Sequence, residues 1–173
     1  MPDADTPSPH PPADPPGGPA LLGTRLRHLL ERLDGDVAAV YEERGLHGFR
    51  PRFTPIVRLL AAEGPLSISD LARATGVTHS AASQTVAQMA RSALVTLAPG
   101  PTDARRRIVR LTPKAEALLP ALDAEWAATS AAAAALDAEL PYPLSRLVEE
   151  AHRALDRRPM RERIAEADPR LGG

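Results

Sequence analysis

Leucine and valine set the first rhythm of the chain. Leu22, Leu26, Leu29, Leu33, Val37 and Val40 recur at spacings of three and four, which places them on one stripe of a helix. The pattern predicts a helix from about Leu21 to Arg44, stopped at Gly45. A second helix is expected from near Arg52, after Pro51, carrying Ile56, Leu59 and Leu60 and ending at Gly64.

The stretch "PLSISDLARATGVTHSAASQTVAQMARSALVTL" follows. Ser67 and Asp70 form a helix start: a hydroxyl can accept an orphan backbone N–H, and an acid favours the positive helix end. This short helix ends at Gly76, and Thr78 caps the next, which runs to about Ala93. Two short helices joined through a glycine make a helix-turn-helix pattern. Next come two short β-prone runs, "LVTLA" and "RIVRLT", either side of "PGPTDARR". Proline, glycine and aspartate between alternating apolar runs predict a β-hairpin.

Thr112 and Pro113 open a long helix, with proline at the first helical position. Leu118, Leu122, Trp126 and Thr129 line one side of it, and it continues through an alanine run to about Glu139, before Pro141. A last helix holds Leu144, Leu147, Val148, Ala151 and Leu155, and the segment after it is expected to add a turn and fray. At the other end, residues 1–19 include Pro2, Pro7, Pro9, Pro11, Pro12, Pro15, Pro16 and Pro19 and no apolar period, so a disordered, polyproline-like tail is expected. The expected organisation is a tail over 1–19, an N-terminal helix over 20–50, a helix-turn-helix lobe over 51–113, C-terminal helices over 114–160 and a second tail over 161–173.

Composition narrows the function classes. The 173 residues suit one domain with a real core. Cysteine is absent, which excludes disulfides, thiolate metal sites and thiol redox sensing. Apolar content is mostly Ala, Leu and Val, favouring helix packing. No apolar run approaches the ~20 residues of a membrane span, and no export signal is visible, so a cytoplasmic protein is expected. His10, His28, His47, His79 and His152 lack ligand spacing, so no metal or other cofactor is expected. The nucleophile-elbow, dinucleotide, phosphate-loop and zinc-protease motifs are missing, which speaks against an enzyme.

The formal net charge is −1, so a basic function must be local. From Arg91 to Lys114 the cations are Arg91, Arg105, Arg106, Arg107, Arg110 and Lys114, and Asp103 is the one acid. Arginine at the tip of a hairpin beside a helix-turn-helix suits phosphate contact and insertion into a narrow minor groove. Asp103 can hold the tip in shape. Side chains alternate along a strand, so the arginines cannot all face one way. On the helix after Gly76, Ala82, Val86, Met89 and Ala93 share a face expected to be core, whereas Ser80, Gln84, Ala87 and Arg91 lie opposite, with His79, Ser83 and Gln88 beside them. Hydroxyl and amide groups there can bond base edges in a major groove. The competing reading is an ordinary solvated face.

The segment from about Pro51 to Pro113 resembles the MarR family of winged helix-turn-helix transcriptional regulators, through "PLSISDLARATGVTHSAASQTV", "LV" and "DARRRIVRLTPKA". The resemblance implies a mainly α fold: a winged helix-turn-helix with a three-element β-wing and long N- and C-terminal dimerisation helices. It implies a homodimer that binds a double-stranded DNA operator, most often as a repressor. Asp103 would be the wing acid and Arg105 the minor-groove arginine. The helix bearing Ser80, Ser83, Gln84 and Gln88 would read the major groove, with Thr78, His79, Arg91, Arg106 and Arg107 also at the DNA. Ala93 and Ala115 stand where the family usually has glycine, and the recognition helix carries Gln84 and Gln88 where the family often has arginine.

Many similar proteins sense small aromatic or lipophilic acids between their lobes, which makes Tyr41, Phe49, Phe53 and Trp126 candidate wall residues. On their own chemistry these large rings read as core or interface packing. The contrary function class is a helix-turn-helix used only for protein contacts, against which the wing arginines speak.

Overall fold

The computed structural model describes residues 19–100 and 106–168. The chain divides into two compact units, one up to Glu116 and one from Ala117. The first unit opens with α1 (Leu22–Glu43), followed by a single 3-10 turn at Pro51–Phe53 and α2 (Thr54–Glu63). It continues through β1 (Leu66–Ser67), α3 (Ile68–Thr75), α4 (His79–Arg91), β2 (Val95–Pro99) and β3 (Arg107–Leu111). Helix α5 (Pro113–Glu139) starts at its end. The fold is mainly α, a winged helix-turn-helix, as the sequence leads one to expect.

The caps explain where the helices of the motif begin. The Ser67 hydroxyl accepts the Asp70 N–H at 3.2 Å, and the Thr78 hydroxyl accepts the Ala81 N–H at 3.2 Å. Gly76 ends α3 in the left-handed region at φ 69°, a conformation glycine adopts without the Cβ clash. A third cap opens α5: the Thr112 hydroxyl accepts the Ala115 N–H and donates to the Ala93 carbonyl at 2.8 Å. The "LT" of the sequence therefore both starts α5 and ties it to the end of α4.

The wing is a three-stranded antiparallel sheet in the order β1-β3-β2. Val95 pairs with Leu111 and Pro99 with Arg107, while Leu66 and Ser67 pair with Val109 and Ile108. The Gly100 N–H bonds the Arg106 carbonyl at 2.7 Å and closes the base of the hairpin. Strand β1 is the third wing element; it has two residues, too few for any period to reveal.

The core of the first unit is continuous. Phe53, Ile56, Val57 and Leu60 of the α2 region are buried, as are Leu71, Ala82, Val86, Met89, Leu94, Val95, Val109 and Ala115. Within α2 it is Val57 that is fully enclosed, and Leu59 is only half-buried. In α1 only Tyr41 is buried; Leu22, Leu26, Leu29, Leu30 and Leu33 are all exposed.

The second unit comprises the rest of α5, α6 (Leu144–Arg157) and α7 (Met160–Ala167). Helix α7 is a correction to the expected fray. Arg163 donates to the Ala154 and Arg158 carbonyls at 3.0 and 3.1 Å, capping α6, and Arg158 pairs with Glu166. The loop before α6 is held by Asp137, whose carboxylate accepts the Ser145 N–H and hydroxyl. Leu122, Glu125 and Trp126 are buried on α5, as the expected stripe requires, and the Thr129 hydroxyl donates to Glu125. Helices α6 and α7 bury nothing, leaving Leu147, Val148, Leu155, Met160 and Ile164 exposed.

Candidate nucleic-acid interface

Helix α4 is amphipathic in the sense the sequence predicts. Ala82, Val86 and Met89 close onto the core, and Thr78, His79, Ser80 and Gln84 are exposed on the outer side, with Ser83 half-buried. Ala93, expected on the core face, is exposed instead, because α4 ends at Arg91 and the chain turns away before it. The Thr78 hydroxyl is committed to its cap. Ser80 and Gln84 lie four residues apart and so share one meridian of the helix. Gln88 and Arg91 continue that side towards the C-terminal end. Arg91 is exposed, but the Gln88 side-chain oxygen is enclosed.

At the wing, Arg107 and Arg110 are both exposed. They are three residues apart on β3 and so point to opposite faces of the sheet. Asp103 and Arg105, the expected tip acid and minor-groove arginine, lie outside the described residues. Arg106 has a definite structural employment. Its guanidinium donates to the Asp70 carboxylate at 2.9 Å and to the Ser67 hydroxyl at 3.1 Å. Asp70 also takes a bond from Arg73, and the Ser67 hydroxyl donates to Asp70 at 2.6 Å. Arg106 thus ties the root of the wing to the start of α3. These bonds, led by the Ser67 hydroxyl, hold the Asp70 carboxyl below the usual carboxylate range. Sequence reasoning could see the Ser67–Asp70 cap but not this third partner, 36 residues further on.

The candidate ligand-wall residues fall in two places. Tyr41, Phe49 and Phe53 meet in the first unit, Tyr41 and Phe49 edge to face at 5.2 Å and Phe49 and Phe53 at 5.8 Å. The Tyr41 hydroxyl bonds the Thr54 hydroxyl at 3.2 Å. All three rings are buried, so they fill space with one another. Trp126 is buried in the second unit.

Among the described residues, no helix is long and apolar enough to cross a membrane. Ala93, where the family usually has glycine, sits at φ 56°. That is the left-handed region, which costs an alanine what it spares a glycine. Ala115, the other departure, puts its methyl into the core.

The helix pair, the three-stranded wing and the capped start of α5 can be compared with known proteins. Residues 47–106 match the MarR family model. Among solved structures, the PcaV transcriptional regulator from Streptomyces coelicolor, solved with its natural ligand, superposes with a TM-score of 0.59 at 18% identity, over 81% of this chain and 92% of PcaV. BpsR of Bordetella bronchiseptica, whose DNA binding is regulated by 6-hydroxynicotinic acid, reaches 0.52 at 19% identity, over 69% and 83%. AbfR bound to DNA reaches 0.50 at 17% identity, over 78% and 96%. Among curated proteins, none matches the chain. The family match over residues 47–106 falls on the lobe whose helix pair and three-stranded wing have the winged helix-turn-helix fold.

Proposed function

We propose that the chain is a transcriptional regulator that binds duplex DNA sequence-specifically as a homodimer and represses the gene beside its operator. One observation carries the reading: α4 turns an exposed row of hydroxyl and amide groups outward beside a wing rich in arginine. In this reading His79, Ser80, Ser83 and Gln84 enter a major groove, where glutamine can pair bidentately with adenine. Arg107 and the tip arginine Arg105 meet phosphates and the adjoining minor groove. Arg106 places the wing rather than touching DNA.

The exposed leucines of α1 and the apolar rows of α6 and α7 support a second copy as the partner. Two recognition helices would then lie ~34 Å apart, one turn of duplex, on a pseudo-palindrome. A small-molecule effector that favours another spacing of the lobes would release the operator by shifting the dimer's population. BpsR, whose DNA binding is regulated by 6-hydroxynicotinic acid, sets a precedent for control by a small molecule.

Selection of bound duplexes from a random library, using the full chain, tests the reading. An enriched inverted repeat with half-sites one turn apart is the expected result. Enrichment of nothing at low ionic strength, from protein that binds other proteins, would favour the adaptor alternative.

A further inference from the structure

The first unit contains a concavity of about 290 Å³ that the operator reading leaves unused. Arg50, Arg52, Phe53, Gln88, Arg91 and Ser92 line it. Two stretches distant in sequence form it: the segment leading into α2, and the last turn of α4. Three of its six lining residues are arginines, and none is acidic. Arginine stays charged at any physiological pH. Among the described residues, none of the three guanidinium groups makes an ion pair. Lys114 adds a fourth cation at the edge, donating to the Ser92 carbonyl at 3.1 Å.

Like charges gathered in one hollow repel each other, and a low-dielectric wall strengthens the effect. The wall here includes Phe53, which is fully buried, with the Arg52 guanidinium 5.9 Å from its ring centre. Gln88 supplies a second, independent signal. Its side-chain oxygen is enclosed and, among the described residues, has no hydrogen-bond partner, a situation that costs stability unless something satisfies it. An amide can turn either its oxygen or its nitrogen towards an occupant. A cationic hollow with an unsatisfied amide in its wall is built for an anion that also carries hydrogen-bonding groups.

We propose that this hollow binds a compact multivalent oxyanion, a small di- or tricarboxylate or a phosphate compound. Guanidinium forks match carboxylate and phosphate geometry. The lining is mainly polar, and three fixed charges call for more than one negative charge in return. Gln88 and Arg91 then serve this site, at the far end of α4 from Thr78. An oxyanion could also come from the DNA backbone. The concavity favours a free solute, because a phosphate on a convex duplex reaches the exposed arginines at the rim but not the inside of a hollow.

The test uses the full chain without DNA. Citrate and pyrophosphate are titrated calorimetrically and in thermal melts, with acetate at matched ionic strength as the control. Citrate or pyrophosphate should bind once per chain and raise the melting temperature, and acetate should not. The variant Arg50→Gln/Arg52→Gln, whose changes are both at exposed positions, should melt like the parent without anion and bind at least ~10-fold more weakly. Equal shifts with acetate, no binding of either polyanion, or full binding by the variant would overturn the proposal. A second arm measures duplex binding without added anion. An unchanged affinity and salt slope in the variant assigns the oxyanion to free solute. A slope lower by about 2 assigns the arginines to DNA phosphates and overturns the proposal. Should the parent bind no duplex at all, the operator reading falls, and the anion titration still decides this one.

Discussion

Between Phe53 and Ala115 the apolar side chains close on one another: Phe53, Val57, Val86, Met89 and Val109 are all fully enclosed. In α1, α6 and α7 the same kinds of residue stand in water. Leu26 and Leu30 are more than half exposed, and Leu147, Val148 and Ile164 nearly so. Both regions are written with the same helical spacing. The difference lies in what each meets. The lobe finds its own partners within about sixty residues of chain, so it can be read as a self-sufficient module. Helices with a long uncovered apolar row draw little stability from propensity alone, and contiguous exposed apolar patches mark interaction sites. In the proposed function, the first region is the reading device and the second the assembly device.

Substitutions at the two ends of that comparison should behave differently. The largest effect is expected at Phe53, where Phe53→Ala leaves a cavity in the lobe. It should cost ~3–5 kcal/mol in denaturant unfolding, and a cost below ~1 kcal/mol would show that the lobe is not closed on itself. Next comes the terminal stripe. Leu26→Glu with Leu33→Glu should raise the dimer dissociation constant by about a hundredfold or more, roughly 3 kcal/mol. Sedimentation on dilution reads this directly; a parent that is already a monomer would break the comparison at its root.

Within the lobe, the reading face and the wing can be separated. Gln84→Ala should alter base preference at one operator position, by ~1–3 kcal/mol. An identical selected sequence in variant and parent would remove Gln84 from the groove. Arg106→Ala should weaken operator binding by about tenfold, roughly 1.4 kcal/mol, with the salt slope unchanged, because a strut is lost rather than a phosphate contact. A slope lower by about 1 would make Arg106 a backbone contact instead.

The same strut has a pH signature. The Asp70 carboxyl is held low, first by the Ser67 hydroxyl and then by Arg73 and Arg106. A carboxyl with a lowered folded pKa contributes stability above its unfolded value of about 4, and loses it as pH falls through the folded value. Acid titration of stability should therefore show a limb below about pH 4 that Asp70→Asn flattens. The smallest effect belongs to Ala93→Gly. Relieving its positive φ should stabilise the chain by about 0.5–1 kcal/mol in a thermal melt, and destabilisation would show that the left-handed turn is not strained.

Much of this molecule could be read in advance where the cause is local. Ser67 and Thr78 cap the helices they were expected to cap. Gly76 ends α3, and Thr112 opens the long helix. The outer row of α4 also follows from its own spacing. Other features have distant causes. Strand β1 exists because Leu66 and Ser67 pair with Val109 and Ile108. Arg106 looked like one more wing cation until Asp70 came within 2.9 Å. Gln88 reads as one more outer amide in the sequence, and only the fold sets it in one hollow with Arg50 and Arg52.

The order of residues alone dictated the helices, their caps, the hairpin and the winged helix-turn-helix pattern of the central lobe, because backbone bonds and apolar spacing act over a few positions. It could not dictate which arginine supports the wing, which lines a hollow, or which leucines stay uncovered. Those follow from loops closing over tens of residues, and each side chain's role is set by whatever that closure brings beside it.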